Sequence, residues 1–260
     1  MKKAIKEILN KIFGKENKQL RKISKKPRYT NFVTNIAGLT IEAVDPPSFI
    51  AQYKEFLGRN VYQFKTDAKK PYIIDCGTNI GLSIISYKKM YPDARIIGFE
   101  PDPNIFNIAN KNIKNENYTD IQIINKAVWT EETTLMFHQE GSAGGRLVDK
   151  KDTNTISVAT FDLKKLLVEQ VDFLKIDIEG AEYDILRDID ASLKYVKNIF
   201  VEYHSTCNNE QHLGEILNIL KKNGFRYFLE SGYESPKQPL VSKNIVDNFD
   251  NLINIYGYRF

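Results

Sequence analysis

The chain has 260 residues, of which 42% are hydrophobic and 27% charged, a composition that suits one large folded domain with a proper core. No run of about 18 apolar residues occurs, which excludes a transmembrane helix, and the N-terminal segment lacks the features of a secretory signal. With Cys76 and Cys207 as its two cysteines, the sequence predicts neither a disulfide framework nor a zinc site. We therefore expect a cytoplasmic protein.

Positive charge is concentrated at the start of the chain. The first 28 residues hold eleven Lys or Arg against two Glu, a net charge of +9 in a chain whose total is +4, so the remainder carries −5. Apolar residues recur at helical spacing between these lysines, which predicts a basic amphipathic helix or tail over residues 1–30. Such a helix either contacts an anionic membrane surface, here the inner face of the cell membrane, or packs on the protein's own body.

Residues 31–70 are expected to form a small lead-in subdomain, and residues 71–260 the main domain. From Pro71 onward, strand-like and helix-like segments alternate, starting with the strands "YIIDC", "ARIIGFE" and "IQIINKAV". Strands that alternate with helices predict right-handed crossover units and an α/β fold with a mostly parallel sheet and helices on both faces. The last two strand-like segments, "RYFLES" and "NLINIYGYRF", are expected to pair as an antiparallel hairpin.

The first strand of the main domain ends in a glycine-containing turn, Asp75-Cys-Gly77-Thr78-Asn79-Ile-Gly81. Asn79 breaks the dinucleotide fingerprint, and the Gly-Lys-Ser/Thr ending of a phosphate-binding loop is missing. Asp75 would also repel a pyrophosphate. The turn therefore favours a ligand with positive charge and no phosphate, and S-adenosylmethionine, which has an ammonium and a sulfonium group, is such a ligand.

The next two strand ends extend this predicted donor site. Glu100 follows the second strand, where an acid can accept hydrogen bonds from both ribose hydroxyls, although NAD sites place an acid there too. The third strand end is expected to pass the adenine, which backbone groups or apolar walls would hold. The residues predicted for the donor at these two strand ends are Glu100, Pro101, Asp102, Ala127 and Val128.

Two later strands, "VDFLKIDIEG" and "NIFVEYHS", alternate apolar and charged residues where a central strand is normally apolar on both faces. The side chains predicted to converge beside the donor as catalytic candidates are Lys175, Asp177, Glu179, Glu202 and His204. Burying them costs several kcal/mol unless they are paired, so the alternative is a salt network in which carboxylates neutralise Lys175. For methyl transfer to an alcohol, His204 has the best intrinsic pKa for a base, and Asp177 competes with it. The same set offers ligands for a divalent cation, but no metal-specific spacing supports this, and no metal is expected.

At this point the sequence resembles the FkbM family of S-adenosylmethionine-dependent methyltransferases. The resemblance covers about residues 70–205 and rests on "IIDCGTNIGLS", "IGFEPDPNIFNIANKNIKNE", "INKAV", "ATFDL", "DFLKIDIEGAEYDIL" and "FVEYH". It implies a class I methyltransferase fold, with a Rossmann-like sheet of seven strands of which one is antiparallel. It also implies O-methylation of a hydroxyl, typically on a sugar of a glycan, a glycolipid or a related metabolite.

Carried over by position, the family's donor site falls on Asp75, Gly77, Asn79, Gly81 and Glu100. Its later motifs fall on Asp162, Lys175, Asp177, Glu179 and Gly180. Cys76 stands where a valine or similar residue is usual.

The segment "HQEGSAGGRLV", residues 138–148, predicts either a loop that closes over donor and acceptor or an ordinary surface hairpin. In the first case Ser142 and Arg146 bind the acceptor substrate. A methyltransferase for protein or nucleic acid and a non-catalytic donor-binding scaffold are the alternative functions. The acidic body argues against nucleic acid as a partner, and the sequence does not predict the oligomeric state.

Overall fold

The computed structural model describes residues 14–148, 153–232, 238, 240–241 and 249–260. The lead-in segment begins with a helix over residues 14–23 (α1) and a hairpin of β1 (Phe32–Ile36) and β2 (Leu39–Ala43). Helix α2 (Pro46–Gln52) follows and continues as a π-helix over Tyr53–Arg59. The apolar positions 4–13 of the predicted basic helix lie outside the described residues.

The lead-in segment packs on the main domain and shares its core. Leu20 and Ile23 of α1 are buried in the same apolar cluster as Phe49, Tyr53 and Tyr87. Asp45 caps α2, because its carboxylate accepts hydrogen bonds from the backbone N–H and the hydroxyl of Ser48. This packing fixes α2 and the π-helix against the end of the main sheet.

The first half of the main domain contains β3 (Tyr72–Cys76), α3 (Leu82–Met90), β4 (Arg95–Phe99), α4 (Pro103–Asn115), β5 (Ile121–Ile124), β6 (Ala127–Trp129) and β7 (Thr134–His138). The second half contains β8 (Arg146–Leu147), β9 (Thr155–Asp162), β10 (Val171–Ile176), α5 (Glu182–Asp188), β11 (Val196–Thr206), α6 (Leu213–Lys222), β12 (Arg226–Ser231) and β13 (Phe249–Tyr258).

Seven of these strands form the central sheet, in the order β12-β13-β11-β10-β3-β4-β5. Strands β3, β4, β5, β10 and β11 are parallel, and β13 runs antiparallel to both of its neighbours. The expected α/β fold, a class I methyltransferase sheet of seven strands with one reversed, is confirmed. Strands β12 and β13 pair as the expected antiparallel hairpin.

The third predicted strand, "IQIINKAV", is in fact two strands. The side chain of Asn125 donates hydrogen bonds to the carbonyls of Glu100 and Pro101, which ends β5 in a turn. Strand β6 then leaves the central sheet and joins a second sheet of order β6-β9-β7-β8. Ala127 and Val128 therefore lie in this smaller sheet, next to the ends of the central strands.

In the part of the chain that the structure describes, no helix has both the length and the hydrophobicity needed to cross a lipid bilayer.

Candidate active site

A cavity lies just beyond the carboxyl ends of β3, β4 and β10, the usual ligand position in an open α/β sheet. The segments that line it include the turn after β3, the end of β4, the charged end of β10, α2 with its π-helix, β6, and the loop after β7. We call this space the main cavity. The predicted donor residues that line it are Gly77, Asn79, Glu100, Pro101, Asp102, Ala127 and Val128.

The turn after β3 depends on a glycine at position 77. Gly77 has a left-handed φ of +94°, and a Cβ placed on it would lie 1.9 Å from the backbone oxygen of Asp177. The backbone N–H groups of Gly77 and Thr78 both donate to the carbonyl of Phe99. The turn is thus pressed between the ends of β10 and β4, at a distance that no side chain permits.

Asp75 lies behind this turn and is not among the residues that line the main cavity, and its contact with the donor stays a prediction. It is fully buried, accepts a hydrogen bond from the hydroxyl of Ser83 at 2.5 Å, and pairs with the ammonium of Lys175 at 3.3 Å. The physical reason is the strand register, since Lys175 on β10 stands directly beside Asp75 on β3. Thr78 is buried behind the turn too, and Gly81 starts α3 with a left-handed φ of +88°.

Lys175 is only 1% exposed and holds three parts of the site together. Its ammonium lies 3.0 Å from the Asp177 carboxylate and donates to the carbonyl of Gly77 at 2.7 Å. Burial alone would lower the pKa of Lys175, but the carboxylates of Asp177 and Asp75 raise it above its usual value. The salt network considered for this lysine is therefore present, and its charge orients the turn and the end of β10.

Glu100 is held rigidly at the end of β4. One carboxylate oxygen accepts the N–H of Asn79 at 2.9 Å, and the other accepts the N–H of Asp102 at 2.9 Å. Burial raises the pKa of Glu100 to about 8, although these two hydrogen bonds oppose the shift. Each oxygen keeps lone-pair capacity for a further donor, so the carboxyl can accept hydrogen bonds from a ligand's vicinal hydroxyls.

Asp102 lines the cavity while it caps α4. One carboxylate oxygen accepts the backbone N–H of Asn104 at 2.8 Å, and the other accepts the side chain of Gln139 at 2.9 Å. Ala127 and Val128, together with Phe99 and Ile105, form an apolar wall beside it.

These features agree with the shape and chemistry of S-adenosylmethionine. A narrow glycine turn gives room for a chain to pass close to the backbone, Glu100 suits a ribose, and the apolar wall beside Val128 suits an adenine. The residues present therefore fit the donor. With Asp75 engaged elsewhere, the carboxylates that face the cavity near the turn are Asp177 and Glu55.

The charged strand ends converge on one point, as predicted. Asp177, Glu179 and Glu202 line the main cavity, and His204 lies directly behind them. The Nε2 atom of His204 is 3.3 Å from a Glu179 oxygen and 3.5 Å from a Glu202 oxygen. Its Nδ1 atom is 3.1 Å from Glu182.

Burial and the neighbouring charges shift the pKa values of this cluster in both directions. Burial alone would lower the pKa of His204, but Glu179, Glu182 and Glu202 raise it well above its usual value, so the ring is a poor proton acceptor near neutrality. Burial raises the pKa of Glu179 to about 7 and that of Glu202 well above its usual range. Asp177 is also buried, yet the charges of Lys175 and His204 lower its pKa.

Glu55 is a site residue that the sequence analysis missed. It lies on the π-helix, faces the main cavity, and has a pKa raised to about 7, chiefly by burial and further by Asp177. Gln52 lies three residues earlier, faces the same cavity, and donates a hydrogen bond to the side chain of Asn79 at 3.2 Å. The sequence did contain a signal for these two residues. Gln52 and Glu55 are polar and stand at helical spacing beside an apolar face, but they lie in the segment assigned to the lead-in.

The loop after β7 covers the main cavity. The hydroxyl of Ser142 donates to that of Ser48 at 2.7 Å, and the Ser142 carbonyl accepts the side chain of Asn79 at 2.9 Å. The Tyr29 hydroxyl holds the same loop through Glu140 at 2.6 Å. Ser142 thus faces the main cavity.

Arg146 lies on the far side of this loop, where it lines a second cavity. We call this space the side cavity. The residues that the two cavities share are Gln52, Glu140, Ala143, Glu179 and Glu202. Ser142 and Arg146 therefore border the same carboxylates from two sides.

The known proteins that this chain resembles in sequence are methyltransferases. The sequence model of the methyltransferase FkbM domain matches residues 75–227. "Methyltransferase sdnD" from Sordaria araneosa is 25% identical over 189 residues, which cover 58% of this chain and 73% of that protein. "Methyltransferase 1" from Beauveria bassiana (strain ARSEF 2860) is 24% identical over 205 residues, or 68% of this chain and 81% of that protein.

Among solved structures, the methyltransferase FkbM from Methylobacillus flagellatus KT aligns with a TM-score of 0.48 and 14% identity. The alignment covers 78% of this chain and 48% of that one, so this chain spans about half of its length.

Proposed function

Because the chain belongs to the FkbM family of methyltransferases, whose methyl donor is S-adenosylmethionine, we propose that it is an O-methyltransferase that acts on a hydroxyl of a sugar in a glycan, a glycolipid or a related metabolite. One observation carries the proposal: the glycine turn and Glu100 line the same cavity as the carboxylates Glu55, Asp177, Glu179 and Glu202. A hydroxyl acceptor needs hydrogen-bond acceptors and a proton acceptor at the place where it meets the donor, and these carboxylates supply both.

S-adenosylmethionine supplies an electrophilic methyl group on its sulfonium when bound. The residues of the chain align the acceptor with that group, since much of the acceleration of such a displacement comes from alignment at about 3–3.5 Å. Asp177, fixed by Lys175, and the Ser142 loop orient the acceptor, and the closed loop excludes water.

We assign Glu55 as the base that accepts the proton of the acceptor hydroxyl. Its carboxyl reaches the cavity from the π-helix, across from the end of β10, and its pKa of about 7 suits proton transfer near neutrality. His204 is assigned a positioning role, because its ring holds Glu179 and Glu202 and carries a proton. Sugar hydroxyls fit a cavity with this many hydrogen-bond acceptors better than an apolar acceptor does.

The test is transfer of a radiolabelled methyl group from S-adenosylmethionine into a fractionated extract of the cells that make the protein. We expect label in the glycan or glycolipid fraction with the wild type, and none with Glu55→Gln. Glu215→Gln, an exposed carboxylate on α6, is the matched control and should label normally. Label in protein or RNA would refute the proposed acceptor class.

We further propose that the protein works in the cytoplasm, with residues 1–28 in peripheral contact with anionic lipid on the inner membrane face. The lysines and arginines at 15, 18, 21, 22, 25 and 26 are all exposed, which leaves their charge available to an anionic surface. Co-sedimentation with anionic vesicles tests this, and replacing Lys2, Lys3 and Lys6 by Glu should weaken it. Since Leu20 and Ile23 belong to the core, deletion of residues 1–28 is an unsuitable variant. Equal binding to neutral and anionic vesicles would refute the idea.

A further inference from the structure

The carboxylates around His204 outnumber the cations that accompany them. The cluster contains Asp75, Asp177, Glu179, Glu182 and Glu202, and the described cations in ion pairs with them are Lys175 and His204. With Arg146, whose charge acts on Glu179, five carboxylates stand against three cations. Since unpaired buried charge costs several kcal/mol per ion, the cluster is suited to a further positive charge.

Glu182 fixes the orientation of the His204 imidazole through the Nδ1 atom of the ring. The Glu182 oxygen that it contacts also accepts the backbone N–H groups of Gly180 at 2.9 Å and Ile178 at 3.2 Å. That oxygen is therefore an acceptor for the ring as well, which places a hydrogen on Nδ1 and directs Nε2 toward Glu179 and Glu202. A carboxylate behind a histidine, with the other ring nitrogen facing oxygen atoms, is the usual arrangement at a protein metal site.

The side-chain atoms around this point are also spaced like the ligands of a single metal ion. Asp177, Glu179 and His204 each offer one atom, and these atoms all lie within 4.8 Å of one another. Atoms that bind one divalent ion at about 2.0–2.6 Å lie no more than about 5 Å apart. Glu179 borders the main cavity and the side cavity, so the point is open to an ion from solution.

We propose that Asp177, Glu179 and His204 bind one divalent cation of the magnesium or manganese class, with Glu202 as a neighbouring oxygen ligand. The cation lies between these carboxylates and Nε2 of the ring. This reverses the expectation from sequence spacing that no metal is present. The carboxylates suit Mg²⁺ and Mn²⁺, and the imidazole, a ligand typical of transition metals, favours Mn²⁺ of the two.

A cation at this point lies on the wall of the main cavity, next to the place assigned to the acceptor. There it can polarise a hydroxyl and make it easier to deprotonate, while Glu55, which lines the same cavity, stays free to take the proton. This role rests on the proposed function. The binding itself does not depend on it.

The test uses Mn²⁺ alone, with neither methyl donor nor acceptor, on the full chain. Electron paramagnetic resonance should show one saturable Mn²⁺ per chain, and electron spin-echo modulation should show a directly bound imidazole nitrogen. Glu179→Gln should weaken binding at least tenfold, and Glu182→Gln should weaken it about 10- to 100-fold through the ring. Glu210→Gln, an exposed carboxylate beyond the cluster, should leave the affinity within about twofold.

Mn²⁺ binding without a nitrogen signal in the wild type would overturn the site. This measurement uses only the wild-type protein, so it does not depend on whether a variant folds. An absence of saturable binding, or an equal affinity of Glu179→Gln and Glu210→Gln, would overturn it as well. Methyl transfer is measured separately, so a failure of the proposed acceptor would leave the Mn²⁺ result standing, and the reverse also holds.

Discussion

The turn after β3 gives the sharpest stability prediction, through Gly77→Ala. The new Cβ would lie 1.9 Å from the Asp177 backbone oxygen, whereas real contacts stay beyond 3.0 Å, so backbone atoms must move by about 1 Å. A left-handed φ costs a residue with a Cβ about 1 kcal/mol, and relief of an overlap against backbone adds about 1–3 kcal/mol. We expect a loss of roughly 3 kcal/mol in the free energy of unfolding.

Gly38→Ala is the matched control. Gly38 has a similar φ of +81°, but a Cβ there meets nothing within 4 Å, so only the conformational cost of about 1 kcal/mol applies. Urea unfolding followed by circular dichroism measures both losses, and calorimetry measures S-adenosylmethionine binding, which Gly77→Ala should weaken at least tenfold. If the two variants were equally stable within about 0.5 kcal/mol, the reasoning on the close approach of the two backbones would be refuted.

Three further predictions follow from the buried charges. Asp75→Ala should destabilise the fold by about 1–3 kcal/mol in urea unfolding, because it leaves the buried Ser83 hydroxyl without its acceptor and Lys175 with one fewer partner; a variant as stable as the wild type would contradict this. The unfolding free energy without ligand should fall by several kcal/mol as the pH rises from about 5 to 8. The folded chain keeps protons on Glu100 and Glu55, with pKa values of about 8 and 7, that the unfolded chain has released; thermal unfolding that is flat or rising with pH would exclude it. Glu55→Gln should lower kcat about 10²- to 10⁴-fold with little change in KM, and an equal effect of Glu215→Gln would remove Glu55 from its role.

The sequence alone was enough to predict the central sheet and the glycine turn that lines the main cavity. Alternating strand and helix patterns, and glycines directly after an apolar strand, are local signals with local causes. They placed Gly77, Asn79 and Glu100 correctly beside one cavity. The convergence of Asp177 and Glu202 also followed from the rule that parallel strands end at the same edge of a sheet.

What the sequence did not reveal depends on register and on distant segments. That Lys175 stands beside Asp75 is a matter of strand register, which no local pattern records, and it places a buried ion pair behind the turn. The proton on His204 depends on three carboxylates from separate elements. Glu55 lies on the π-helix, and no local sequence pattern indicates that this segment packs against the main domain and lines its cavity.

The claim that a hydroxyl meets the methyl donor in this cavity is tested most directly by the bond that the reaction forms. S-adenosylmethionine with a ¹³C-labelled methyl group is incubated with the protein and the labelled extract fraction, and the product is examined by carbon NMR. The account predicts a methyl ether on a carbohydrate carbon, formed by the wild type and absent with Glu55→Gln. A methyl group on nitrogen or sulfur, or a methyl ether that Glu55→Gln forms at the wild-type rate, would contradict it.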